Sequence, residues 1–285
     1  MSNEEAKFHV LVLGNIRPEG LDVLKEFSRT KILPEPVDKS QVLECIAEMD
    51  AILHKVGKID AEIIDRQTNV KIIARHGVGL DDLDLPTIEA AGIPVSTTLT
   101  ANTNAVAEAT IGLVLSLLRH LNIGEDMLKR HKKWTREDLM GREIKNATVG
   151  IVGYGRIGQL VAKYYSAFDA NIIVHDAIAS ALADCPFVSV GLDELLERSD
   201  IVSLHCPLIT ETHHLIDAKR LALMKKTAIL VNTSRGGLVD QVALAKAAKA
   251  GTIAGAAIDV FDVDDRIVHQ FSDRHRQSAE RHGVD

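Results

Sequence analysis

Residues 148–165 read TVGIVGYGRIGQLVAKYY, and this stretch decides the fold. Thr148 to Val152 is a short, continuous apolar run, the pattern of a strand buried on both faces. It passes into Gly153-Tyr154-Gly155-Arg156-Ile157-Gly158, after which Val161, Tyr164 and Tyr165 recur at helical spacing. Strand, glycine turn and helix in that order make the phosphate-binding end of a Rossmann unit. Gly153 permits the tight turn, Gly155 lets the backbone approach a pyrophosphate, and Gly158 lets helix and strand pack closely. The helix N-terminus then meets the anion with its unpaired N–H groups and positive dipole end. Three glycines at this spacing also arise by chance, so the flanking chain carries the weight. NIIVHD supplies a second strand ending at Asp176, 18 residues after Gly158. A carboxylate at that spacing accepts hydrogen bonds from the ribose hydroxyls and repels a 2′-phosphate, which predicts NAD rather than NADP. The alternative is a solvated acid at a strand end.

Outward from this unit, DIVSLHC, TAILVNTS and IAGAAIDVF continue the series of strands. The first hundred residues hold a separate series, FHVLVLGN, DAILHKV, VKIIARHG and GIPVSTT, with helix-patterned segments such as EGLDVLKEF and SQVLECIAEM between them. Apolar strands alternating with helices predict parallel sheets covered on both faces, hence an α/β chain of two doubly wound domains. Between them lies NTNAVAEATIGLVLSLLRHL, with Glu108 near its start and Arg119 near its end, as a helix dipole favours. A helix so apolar reads as buried, between domains or against a second subunit. The charged segment IGEDMLKRHKKWTREDLMGREIKN reads as an exposed arm, its Trp134 either anchoring a subunit contact or simply packed. Helix and arm together predict a homodimer.

Composition narrows the classes of function. The chain is 46% hydrophobic and 26% charged with a formal net charge of −7, so no broad basic surface invites nucleic acid. No apolar run reaches the ~20 residues that span a bilayer. MSNEEAKFHVLVLGN opens acidic and enters a strand directly, unlike a signal peptide. Cys45, Cys185 and Cys206 stand apart with no CxxC pair, which suits reduced thiols in the cytoplasm better than disulfides or a metal site.

Five blocks, RHGVGLDDLD, NTNAVAE, GREIKNATVGIVGYGRIG, VSLHCPLITETHHLI and AILVNTSRGGLVDQVALAKAAKAGTIAGAAIDVF, make the chain resemble the D-isomer-specific 2-hydroxyacid dehydrogenases. The likeness is greatest to the branch of phosphoglycerate dehydrogenases and glyoxylate/hydroxypyruvate reductases, and it runs from about residue 8 to about residue 263. It implies a flavodoxin-like substrate domain over residues 1–101 and a Rossmann NAD-binding domain over 102–263. It places the substrate loop on Gly77-Val78-Gly79, where backbone N–H groups can hold a carboxylate. His54 and Lys55 fall where relatives place a basic substrate contact, although the commoner pattern there contains arginine; a solvated lysine at a strand end is the alternative.

Arg235 follows the strand AILVNTS, so it stands at the carboxyl edge where open α/β sheets bind ligands. A guanidinium there can grip a carboxylate in a fork and polarise a 2-keto oxygen as hydride arrives, and the family's matching arginine implies that role. The resemblance further implies cofactor contacts at Arg156, Ile157, Cys206, Pro207, Thr212, Thr233 and Ser234, with Asp259 near the nicotinamide carboxamide. His205, in LHCPL, is a cofactor-facing strand end and not the family's catalytic histidine.

The pattern breaks after DVF. The family's acid/base is a histidine paired with a glutamate five residues beyond the DVF aspartate; counting from Asp259 gives Asp264, followed by Asp265 in place of proline. The 24 residues from Asp262 hold six acids, four arginines and three histidines, and no TPH-like segment. His269, His275 and His282 each read as solvated. Residues 264–285 are therefore expected to form an atypical polar tail in place of the family's C-terminal segment, the likeness stopping just after DVF. The expected function is hydride transfer between NAD(H) and a small 2-hydroxy or 2-keto acid, with catalysis impaired in this form. The alternative is a non-catalytic NAD-binding dimer that senses or scaffolds.

Overall fold

The computed structural model describes residues 8–131, 135–137 and 139–262. The chain divides into two compact units, the first ending at Asn102 and the second starting at Thr103.

The first unit alternates strand and helix: β1 (Phe8–Leu13), α1 (Pro18–Lys25), β2 (Ser28–Leu33), α2 (Lys39–Cys45), β3 (Ala51–His54), α3 (Ala61–Arg66), β4 (Ile72–Arg75), α4 (Leu85–Ala90) and β5 (Val95–Thr97). Its strands pair in the order β2-β1-β3-β4-β5, every pair parallel. This is the flavodoxin-like order, with its switch point between β1 and β3. Leu11, Leu13, Ile52 and Ile73 from the strands pack with Ile46, Ile63 and Ile88 from the helical layers in one core.

The second unit holds α5 (Thr103–Leu118), α6 (Leu121–Asp126), β6 (Thr148–Val152), α7 (Arg156–Ser166), β7 (Asn171–His175), β8 (Val188–Ser189), α8 (Leu192–Arg198), β9 (Ile201–Leu204), α9 (Ala218–Leu223), β10 (Ile229–Asn232), α10 (Gln241–Ala250) and β11 (Gly255–Ile258). Its sheet runs β11-β10-β9-β6-β7-β8, all parallel, which is the Rossmann order with the switch point between β6 and β9. Alternate residues of each central strand enter opposite cores. Val202, Leu204 and Leu230 join Leu195, Leu196 and Leu244 on one face; Val149, Ile151 and Val231 join Val161 and Tyr165 on the other. Burial on both faces is why these strands are continuous apolar runs.

Aspartates start many of the helices. Asp38, Asp60, Asp84, Asp217 and Asp240 each accept a hydrogen bond from a first-turn amide of α2, α3, α4, α9 and α10 respectively. Each such cap is worth ~0.5–2 kcal/mol. Gly251, at φ 71°, closes α10 in the left-handed conformation that glycine adopts without strain.

Helix α5 buries one stripe within its own chain. Only the stripe Ala107, Thr110, Val114 and Leu118 is buried, packed with the α7 side of the Rossmann core. The other faces are half-buried or exposed, and Leu121, Leu128 and Met140 beyond it are 57%, 55% and 73% exposed. Trp134 lies outside the described residues. Among the described residues no single helix is long and apolar enough to cross a membrane.

Candidate active site

Register assembles the edge of the Rossmann sheet. Val152 pairs with His175 and with Leu204, Leu204 with Asn232, and Asn232 with Ile258. The next residue in each strand is therefore Gly153, Asp176, His205, Thr233 or Asp259, and all five stand in one row at the carboxyl edge. Sequence reading had singled out each of them separately, and parallel pairing brings them together.

At the switch point the chains nearly touch. A methyl group on Gly153 would lie 2.6 Å from the Cys206 amide nitrogen and 2.7 Å from the His205 carbonyl carbon, and its φ is 91°. Only glycine meets both demands. A methyl on Gly158 would lie 2.0 Å from the Gly153 carbonyl oxygen, whereas one on Gly155 would meet nothing within 4 Å. Gly155 is the N-cap of α7 and brings no side-chain cap. The first-turn amides of α7, which begins at Arg156-Ile157, thus lie behind open space, the arrangement that takes an anion.

Asp176 is oriented by backbone. Its Oδ2 accepts from the Tyr154 amide at 2.7 Å and its Oδ1 from the Ile178 amide at 2.8 Å. Each oxygen keeps a second lone pair for a hydroxyl donor. His205 Nε2 lies 2.8 Å from the Ser203 hydroxyl, and burial pushes the imidazole down to about 3, so the ring is neutral at pH 7. Burial likewise pushes the Cys206 thiol up to about 11, which leaves it protonated and unreactive. The Ser234 hydroxyl donates to the Cys206 carbonyl at 2.7 Å, and the Thr212 hydroxyl donates to the Pro207 carbonyl at 2.7 Å. These bonds tie the loop after β9 to the turn after β10.

That turn is folded by Asn232, which sequence reading did not single out. Its Oδ1 accepts from the Ser234 amide at 3.0 Å and its Nδ2 donates to the Arg235 carbonyl at 2.8 Å. Arg235 donates through Nη1 to the Ser234 carbonyl at 2.7 Å. Thr233 contributes to the edge through its backbone. Its side chain is turned inward, with Oγ1 2.9 Å from Thr110 Oγ1; the Thr110 hydroxyl already donates to Val106, so Thr233 is the donor of that pair. With its hydroxyl buried and committed, Thr233 has its backbone to offer a ligand. Asp264 and the histidines His269, His275 and His282 lie outside the described residues.

In the first unit, Leu13, His54, Arg75 and Thr97 are level at the carboxyl edge. His54 requires a correction. It is wholly buried, with Nε2 2.6 Å from the Gly57 carbonyl and Nδ1 2.8 Å from Arg75 Nη1. A carbonyl only accepts and a guanidinium only donates, so His54 is the neutral Nε2–H tautomer. Burial lowers its pKa and the Arg75 charge adds to the effect. Both ring nitrogens are engaged by protein, so His54 positions Arg75 and does not itself face a ligand. Arg75, which the sequence reading did not single out, donates to the carbonyls of Gly79 and Lys55 and lies 3.7 Å from Asp82. It thereby pins the Gly77-Val78-Gly79 loop, where Gly77 has φ 150°. Among the described residues the amides of Val78 and Gly79 have no protein partner. Lys55 pairs with Glu35 at 2.9 Å, and this hydrogen bond holds the Glu35 carboxyl below its usual range.

Comparisons with known proteins identify the family. The family model described as D-isomer specific 2-hydroxyacid dehydrogenase, catalytic domain, matches residues 10–185, and that for the NAD binding domain of the same family matches residues 111–279. The second match runs past Phe261, which corrects the expectation that the likeness stops just after DVF. A glyoxylate reductase of Thermofilum pendens is 41% identical over 90% of this chain and 79% of its own. A hydroxypyruvate reductase of Thermotoga maritima is 37% identical over 91% of this chain and 84% of its own. A D-3-phosphoglycerate dehydrogenase of Methanocaldococcus jannaschii is 37% identical, but only 49% of its length is covered. Among solved structures, the TT0316 protein of Thermus thermophilus superposes with a TM-score of 0.85 at 36% identity, covering 90% of this chain and 83% of that one. Glycine turn, row of strand ends and family models converge: the chain belongs to the D-isomer-specific 2-hydroxyacid dehydrogenases, NAD-dependent oxidoreductases of two parallel-sheet α/β domains.

Proposed function

We propose that the chain reduces a small, unphosphorylated 2-keto acid, glyoxylate or hydroxypyruvate, with NADH. The row Gly153, Asp176, His205, Thr233 and Asp259 carries this reading, because these five residues are level at the carboxyl edge of the Rossmann sheet and Arg235 follows Thr233 by two positions. In this proposal the second unit, from residue 102 or 103, holds NAD: α7 faces the pyrophosphate, Asp176 the ribose, and Cys206, Pro207, Thr212 and Ser234 line the edge. NAD supplies the hydride. Residues of the first 101 or 102 positions hold the substrate, whose carboxylate meets the open amides of Val78 and Gly79. In the second unit, Arg235 is the group proposed to polarise a keto oxygen as hydride arrives.

Two observations support an unphosphorylated substrate. Lys55 and Arg75, at the edge of the first unit, are already occupied by Glu35 and by Asp82 with backbone carbonyls. The reductases for glyoxylate and hydroxypyruvate also match this chain along most of their length. Turnover by this chain is proposed to be slow. Asp264 is one methylene shorter than the family's glutamate, and residues 262–285 contain no TPH-like segment. A general acid–base pair contributes ~10²–10⁴-fold. The chain is further proposed to act as a homodimer in the cytoplasm.

Steady-state NADH oxidation tests the reading across glyoxylate, hydroxypyruvate, pyruvate and phosphohydroxypyruvate. The expected order of kcat/KM puts glyoxylate and hydroxypyruvate first, with kcat below the ~10 s⁻¹ median of enzymes. Phosphohydroxypyruvate as the preferred substrate would refute the unphosphorylated assignment. NADH binding without turnover of any of the four would support the non-catalytic alternative.

A further inference from the structure

His213, His214 and Asp262 bring three side-chain ligand atoms within 4.8 Å of one another. Nothing in the dehydrogenase reaction uses them. The two histidines are consecutive in THHLI, and Asp262 directly follows DVF. What joins them is the glycine pair after Arg235. A methyl on Gly236 would lie 2.3 Å from the Asp262 amide nitrogen, so residues 261–262 run directly over that glycine. A methyl on Gly237 would lie 3.6 Å from Cδ2 of His213, and the His214 amide donates to the Gly237 carbonyl at 2.7 Å. Both ligand-bearing segments are thus docked on one short piece of backbone. His214 has φ 50°, and the two imidazoles are stacked with centroids 4.0 Å apart and planes 26° apart, so one exposed ring must turn about its side-chain bonds before both nitrogens face one ion.

We propose that His213, His214 and Asp262 form a binding site for a divalent transition-metal ion, Zn²⁺ or a neighbour of similar softness. Two imidazoles and one carboxylate are the donor set such ions take, and oxygen-seeking Mg²⁺ and Ca²⁺ are poorly served by it. Three protein ligands at ~2.0–2.2 Å leave a fourth tetrahedral position to water. Both histidines are exposed, so binding pays little to strip them of solvent. The ion would clamp the loop carrying Thr212 to the chain leaving β11, across the turn that begins at Arg235. None of the three ligands is among the groups assigned to hydride transfer.

Calorimetric titration with Zn²⁺ tests this on the full chain carrying His269→Gln, His275→Gln and His282→Gln, which removes the histidines that follow Asp262 in the sequence. The expected result is one Zn²⁺ per chain, undisturbed by millimolar-scale Mg²⁺. Losing even an outer partner of a metal ligand costs ~10–100-fold in affinity; His213→Gln, His214→Asn and Asp262→Asn should each weaken binding by at least that much. Asparagine is chosen at position 214 because it tolerates the left-handed backbone. X-ray absorption on the zinc-loaded background should show two imidazole ligands, a readout that needs no variant of the site to fold. Absence of uptake, uptake indifferent to the three substitutions, or a zinc shell without paired imidazoles would overturn the proposal.

Discussion

Gly155 and Gly158 separate two reasons for a glycine within one turn. A Cβ at Gly158 would collide with the Gly153 carbonyl, a contact internal to the fold, whereas a Cβ at Gly155 would project into space the protein leaves open. Gly158→Ala should therefore destabilise the chain by ~1–3 kcal/mol, the usual cost of overpacking. Gly155→Ala should melt like the parent while losing NADH affinity, since its methyl stands where a pyrophosphate approaches. Thermal melts and NADH fluorescence titrations of both variants check this; equal effects of the two on stability would contradict it. The two histidines of lowered pKa make a second claim at this scale. His54 and His205 are both held below the ordinary ~6.5 of a free imidazole, His205 down to about 3. The unfolded chain therefore takes up protons that the native chain refuses as pH falls below ~6.5. Their contribution to stability is fully present above ~6.5 and is lost as pH falls from there toward the folded values. The urea midpoint should drop between pH 7 and pH 5, and drop less in His205→Asn. A midpoint that holds or rises on acidification would count against the neutral, buried assignment.

The plainest strands in the sequence are those buried on both faces. FHVLVLGN, ATVGIVG and DIVSLHC are continuous apolar runs because β1, β6 and β9 are central strands. Sequence reading missed β2, SRTKIL, and β8, Val188–Ser189, which are the edge strands of their sheets. β2 opens with four polar residues and β8 is only two residues long, so neither carries an apolar run to find. Side-chain direction at strand ends was also illegible. His54 and Thr233 stand where a ligand contact is expected, and the local packing that turns them inward, against Arg75 and Thr110, is set by residues 21 and 123 positions away. Helix α5 shows the converse limit. Its all-round apolarity signals burial, and within the chain one stripe is buried while the rest is half-buried or exposed. We expect a second copy to cover the rest, with Leu121, Leu128 and Met140 at its margin. Sedimentation should give a dimer mass, and Leu121→Glu with Leu128→Glu should shift it to monomer without unfolding. A monomer for the parent chain at micromolar concentration would refute the pairing.

At the scale of the whole molecule, fold and family were legible because several independent signals agree: a glycine turn, an acid 18 residues on, and an arginine-glycine-glycine turn after the fifth Rossmann strand. What the residues cannot display one by one is the alignment of five strand ends into a single edge, which parallel register alone produces. The central claim is that this edge presents a hydride to C2 of a small 2-keto acid polarised by Arg235. The most direct measurement follows the hydride itself, using NADH deuterated at both C4 positions, glyoxylate, and long incubation so that slow turnover still accumulates product. Deuterium at C2 of glycolate, formed in proportion to enzyme and reduced ~10²-fold or more in Arg235→Gln, is the predicted result, that factor being what loss of one transition-state donor typically costs. Glycolate without deuterium, or labelled glycolate formed equally by the Arg235→Gln chain, would contradict it.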